Sequence, residues 1–116
     1  MAAAQGTFVI ESNVEVASGT FRTILRGDAS ALTRPGQFID IALDGKFLRR
    51  PFAAATWTGE SITIYYKLIG EGTRLLSTLP AGTPLDVLTG LGNGFTIPAK
   101  PSRILLISGG LGASPL

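Results

Sequence analysis

The sequence contains no cysteine and no histidine. Without cysteine there is neither a disulfide framework nor a thiolate metal site. Without histidine, Ser/His and Cys/His nucleophilic catalysis and His-ligated metal are excluded within this chain. The 8 acidic residues are scattered, so no carboxylate metal site is expected. Charge of one sign is barely in excess: 10 Lys and Arg against 8 Asp and Glu leave a net +2. No Lys/Arg block occurs, and a nucleic-acid surface is not expected. No apolar run approaches membrane-spanning length. The opening "MAAAQGTFVI" lacks the charged start and long apolar core of a secretion signal. The expectation is a cytoplasmic protein with neither nucleic acid nor membrane as a partner.

What is present is a globular composition in a chain of 116 residues, enough for one domain with a real core. Gly and Pro divide it into short β-rich segments. "TFVIESNVEVA" (Thr7–Ala17) and "TFRTILRG" (Thr20–Gly27) meet at Ser18-Gly19 in a hairpin-like turn. In "QFIDIAL" (Gln37–Leu43), Ile39, Ile41 and Leu43 alternate onto one face. Asp44 to Lys46 form a turn. "PFAAATW" and "SITIYYKLI" read as two further strands, the second placing Ile62, Ile64, Tyr66 and Leu68 on one face.

The period then changes. "GTRLLSTL" (Gly72–Leu79) spaces its leucines for a helix, with Thr73 as N-cap and Pro80 as the stop. A strand follows around Leu85–Leu88, then the Gly-rich "LGNGF" loop and a two-proline linker, Ile97–Ser102. "RILLIS" (Arg103–Ser108) is continuously apolar, as in a parallel strand covered on both faces, and "GGLGASPL" follows it. Two readings stand: a last barrel strand with a tail, or the opening strand and turn of a nucleotide-binding domain. The expected fold is all-β, a six-stranded antiparallel barrel with one inserted helix.

Three places could carry ligand chemistry. Arg49 and Arg50 point to opposite faces of one strand, so at most one enters a given site. An arginine fork suits phosphate; a pair of solvated surface arginines is the bland alternative. Phe52 followed by Ala53, Ala54 and Ala55 leaves room for a flat ring against the backbone, or simply fills a tight barrel interior. "GEGT" (Gly70–Thr73) opens the helix, where free N–H groups favour an anion, though a plain turn needs no ligand. Together they could hold one diphosphate between strand and helix.

These residues resemble the FAD-binding domain of the ferredoxin-NADP reductase superfamily, and within it the electron-transfer subunits of B-type dihydroorotate dehydrogenase. The likeness rests on Arg50-Pro51-Phe52-Ala53, on Tyr66-Lys67 with Gly70, Gly72 and Thr73, on the Gly90–Phe95 loop, and on Gly109 to Leu116. It implies a Greek-key FAD barrel over residues 1–98, and over 99–116 a linker and the first strand of an incomplete NAD-binding domain. It implies that Arg50 pairs with the FAD diphosphate, beside Pro51. Phe52 and Ala53 would line the isoalloxazine, and Lys67, Leu68 and Ile69 would contact the flavin through backbone. Gly72 and Thr73 would bind diphosphate oxygens, while Gly110 and Gly112 would begin the NAD site. No residue is assigned as catalytic or metal-binding. NADH would supply electrons, a [2Fe–2S] cluster would lie in a C-terminal part absent here, and a catalytic dihydroorotate dehydrogenase flavin subunit would receive them, in a heterotetramer. Ala53 departs from the Ser or Thr usual at that position. Alone, this chain is expected to oxidise NADH poorly or not at all, and its apolar Arg103–Ser108 run to pair with another copy or fold back on the barrel. The alternatives are another reductase of the same superfamily, or a non-enzymatic β-barrel binding module.

Overall fold

The computed structural model describes residues 3–45, 48–100 and 103–116. Strands β1 (Ala4–Ala17) and β2 (Thr20–Arg26) form the hairpin read from the sequence, turning through Gly19 at φ 71°. β3 (Phe38–Ala42), β4 (Arg50–Ala53), β5 (Thr56–Trp57) and β6 (Ser61–Lys67) follow. Helix α1 (Glu71–Ser77) separates β6 from β7 (Pro84–Leu91), and a single 3₁₀ turn spans Gly110–Ala113. Of the expected turn at 44–46, Lys46 lies outside the described residues, as do Pro101 and Ser102 of the expected linker.

All seven strands belong to one sheet in the order β4-β3-β7-β1-β2-β6-β5, and every pairing is antiparallel. The all-β reading with one inserted helix therefore holds, with seven strands in place of six. The extra strand arises because "PFAAATW" is not continuous. β4 pairs with β3 at one edge of the sheet, and β5 pairs with β6 at the other. Between them the chain changes partners: the Ala54 N–H donates to the Gln37 carbonyl, and the Ala55 N–H to the Thr63 carbonyl. The alanines sit at this crossing. The two edges are thus joined by the chain itself and not by a ladder, and the barrel is left with a seam.

The core lies on the inward face. It includes Phe8, Ile10, Leu25, Ile39, Ile41, Ile62, Ile64, Tyr66, Leu76 and Val87. The expected face of β6 holds for Ile62, Ile64 and Tyr66. Leu68 is a correction: β6 ends at Lys67, and Leu68 is exposed, its N–H donating to the Gly19 carbonyl. A bulge between Ile10 and Ser12 shifts the alternation of β1 by one residue. Ile10 stands opposite Leu25 and Asn13 opposite Thr23, so Asn13 joins the inward face.

The helix also begins differently from the expectation. Gly70 is the N-cap, and Thr73 is the third helical residue. Thr73 Oγ1 reaches back to accept the Ile69 and Gly70 N–H groups at 3.0 and 3.2 Å. The residues of "RILLIS" form no strand here and are exposed, with Leu105 at 82% and Ile107 at 80%. A continuous apolar strand needs neighbours on both edges and faces, and none of the described strands supplies them. No helix among the described residues is long and apolar enough to cross a membrane.

Candidate functional site

The seam opens into a cleft of about 820 Å³. Its walls are β4 (Arg50, Pro51, Phe52, Ala53), the end of β6 (Tyr65, Tyr66, Lys67), the entry to α1 (Ile69 to Thr73) and the 3₁₀ turn region (Leu111, Gly112, Ser114, Pro115). The three places singled out in the sequence are therefore walls of one cavity.

Arg49 and Arg50 divide as the strand geometry requires. Arg49 pairs with Asp86 at 3.1 Å, which holds it on the outer face across β3 and β7. Arg50 turns into the cleft. Its Nη1 donates to the Leu48 carbonyl at 2.9 Å, and its side chain lies across Gly72. A Cβ at position 72 would stand 2.5 Å from Arg50 Nε. A methyl there would push the arginine aside, so the first turn of α1 and the guanidinium fit closely only with glycine at 72.

The floor is aromatic. Phe52 meets Tyr66 edge-on at a centroid distance of 5.7 Å, and Tyr66 stacks on Phe21 at 5.7 Å. The Tyr66 hydroxyl donates to Asn13 Oδ1 at 3.1 Å. Burial pushes its pKa above the ordinary tyrosine value, against the lowering effect of hydrogen bonds with Thr23 and Asn13. The hydroxyl is therefore a fixed neutral donor at working pH.

Arg50, Pro51, Phe52, Ala53, Lys67, Ile69, Gly72, Thr73 and Gly112 all line the cleft, whereas Leu68 and Gly110 do not. Lining residues to which no individual role was assigned from the sequence are Tyr65, Tyr66, Gly70, Glu71, Leu111, Ser114 and Pro115, although Gly70 and Glu71 belong to the "GEGT" helix start and Tyr66 to a motif singled out there. Period-two alternation marked Tyr66 as a core residue. Its second role, as the floor of a cavity, appears only once the seam is known. The "LGNGF" loop lies apart from the cleft: the Phe95 N–H donates to the Pro35 carbonyl, and buried Gln37 donates to the Gly92 carbonyl.

Chemically, the cleft offers a guanidinium, N–H groups at a helix start, and a wall that includes Phe52, Ala53, Tyr65 and Tyr66. This arrangement suits a flat ring carrying an anionic tail.

No family model matches the chain. It is 37% identical over 117 residues to the electron transfer subunit of dihydroorotate dehydrogenase B (NAD(+)) from Bacillus velezensis. That match takes in 92% of this chain and 45% of the relative, so the chain spans about half the length of the curated relative. Among solved structures, a ferredoxin reductase of carbazole 1,9a-dioxygenase superposes with a TM-score of 0.85 at 22% identity, over 97% of this chain and 37% of the other. An NADH-dependent reduced ferredoxin-NADP oxidoreductase, described for flavin-based electron bifurcation, gives a TM-score of 0.71 at 29% identity over 77% of this chain and 34% of the other. By sequence and fold together, the chain belongs to the ferredoxin-NADP reductase-like flavoproteins, with electron transfer subunits of dihydroorotate dehydrogenase B among its relatives.

Proposed function

We propose that this chain holds FAD in the seam cleft and serves as the flavin-binding part of an NADH-linked electron-transfer flavoprotein. The observation that carries the reading is the convergence of Arg50, Phe52–Ala53 and Gly72–Thr73 on one cavity. The fit is specific. Gly72 lacks a Cβ where one would displace the Arg50 guanidinium, which leaves a cationic cradle beside the first turn of α1.

Arg50 and the backbone at Gly72 and Thr73 hold the diphosphate. Phe52 and Ala53 flank the isoalloxazine, with Pro51 fixing the backbone of β4 at the cleft mouth. Lys67 and Ile69 offer backbone groups at the end of β6. Ala53 presents no hydroxyl to the ring. FAD, when bound, supplies the redox chemistry; the chain places and shields it. Residues 1–98 form the FAD unit, and 99–116 begin the NAD unit, with Gly110 and Gly112 at its opening turn. NADH as donor and a dihydroorotate dehydrogenase flavin subunit as recipient complete the proposal. A [2Fe–2S] cluster has no cysteine ligands in this sequence and would belong elsewhere in a longer protein.

The test is a visible absorption spectrum of the purified protein before and after incubation with FAD and desalting. Retained flavin absorbance supports the reading, and its loss in an Arg50→Ala variant assigns the anchor. A wild-type protein that never retains flavin overturns the reading. A second reading, a related reductase with a different acceptor, draws on the likeness to the NADH-dependent oxidoreductase. Electron delivery to candidate acceptor proteins separates the two.

A further inference from the structure

We propose that Asn13 is a positioning residue for the flavin cleft, locking the far end of α1 to the tyrosine that forms the cleft floor. The inference rests on the FAD reading above.

Asn13 does not line the cavity, yet its amide is committed on both sides. Nδ2 donates to the Leu76 carbonyl at 2.8 Å and to the Leu79 carbonyl at 3.0 Å. Oδ1 accepts from Thr23 Oγ1 at 2.7 Å and from the Tyr66 hydroxyl at 3.1 Å. The amide orientation follows from its partners, since two carbonyls can only face the NH₂ end. Its two donors go to carbonyls at and just beyond the C-terminal end of α1: that of Leu76, which also accepts the Leu79 N–H, and that of Leu79, past the last helical turn.

α1 is only seven residues long, and a helix that short does not hold its place by its own hydrogen bonds. Its first turn forms one wall of the cleft, and Tyr66 forms the floor. One side chain therefore fixes the distance between wall and floor from outside the cavity. The bulge in β1 is what turns Asn13 inward to do this.

The experiment compares FAD affinity in wild type, Asn13→Ala, Asn13→Asp and a Val87→Ala control. Val87 is fully buried on β7 and lines no part of the cleft. Titrations are run in the intact chain, well below the thermal transition of each protein. Asn13→Ala removes all four of these hydrogen bonds and is expected to raise the dissociation constant about tenfold or more. It should also blur the vibronic shoulder of the bound flavin. Val87→Ala should lower thermal stability through a core cavity and leave affinity and band shape alone. Equal affinity in wild type and Asn13→Ala, or an equal loss in Val87→Ala, overturns the inference. Asn13→Asp keeps the acceptors and loses both donors, and it carries the same test should the alanine variant fail to fold. Hydrogen exchange on the wild type needs no variant. FAD should slow exchange at Thr78 and Leu79, whose N–H groups bond to Leu75 and Leu76 at the remote end of α1. Unchanged exchange there overturns the inference. A wild type that binds no FAD removes the FAD reading itself, and this inference with it; the two failures are thus distinct.

Discussion

Gly72 shows how much one missing methyl decides. A Cβ there would sit 2.5 Å from Arg50 Nε, and the obstacle is the end of a flexible side chain, which can swing aside. Gly72→Ala should therefore cost little stability, within about 1 kcal/mol by urea titration. It should weaken FAD binding about tenfold by pushing the guanidinium out of its cradle. Gly90→Ala should behave in the opposite way. Its φ is +71°, and the added methyl would stand 2.5 Å from the Ala31 carbonyl oxygen, a backbone atom that cannot turn away. A loss of about 2–4 kcal/mol in urea unfolding is expected, with flavin affinity of the folded protein unchanged. Asp86 makes a pH prediction. Hydrogen bonding from Gln5 first, and then Arg49, holds its carboxyl below the usual carboxylate range. The folded state thus prefers the ionised form. The associated stability is present above the unfolded pKa of about 4 and is lost as pH falls below it. Asp86→Asn should flatten the acid side of the stability profile over that interval, measured by urea midpoints at stepped pH.

At the scale of elements, α1 depends on what it is packed against. Leu76 is its fully buried anchor in the core. Leu76→Ala should cost about 2–5 kcal/mol by urea unfolding, and it should loosen the cleft wall as well as the core. The β1–β2 hairpin, the face of β3 and the helix before β7 were legible because their periodicities are clean and their turns carry Ser-Gly or Pro. The exchange of partners at Ala54–Ala55 was not, since a strand that leaves one neighbour for another keeps its β-character throughout. Nor was the place of Asn13. Alternation by two from Phe8 leads to Ser12, Val14 and Val16, and only the bulge moves the valines out, to 44% and 47% exposure. For the site, residue types marked both arginine strand and helix start as phosphate-seeking. That they share one cavity depends on the sheet order, which pairs residues far apart in sequence and leaves no local mark.

For the whole molecule, the seam and the apolar run after it set the behaviour. A ligand that binds only the folded state should raise the melting temperature with its concentration, so thermal scans with FAD should show a graded upward shift that Arg50→Ala reduces. Ile104, Leu105, Leu106 and Ile107 are all exposed in this structure, a contiguous apolar surface of the kind that drives association. Replacing Leu105 and Ile107 by lysine should shift the protein toward smaller species in size-exclusion chromatography while leaving flavin retention as it was. An unchanged elution volume counts against this run as the contact surface.

The sheet order carries one more implication, for how the chain comes off the ribosome. β1 lies between β2 and β7, with Ala4 opposite Thr89. Its Val9–Ala17 part can pair with β2 soon after both have emerged, while its Ala4–Val9 part waits until β7 has been synthesised. Until β7 has been made, the nascent chain therefore carries an unpaired strand segment with Phe8 and Ile10 in or beside it, a state that invites chaperones and punishes pauses before β7.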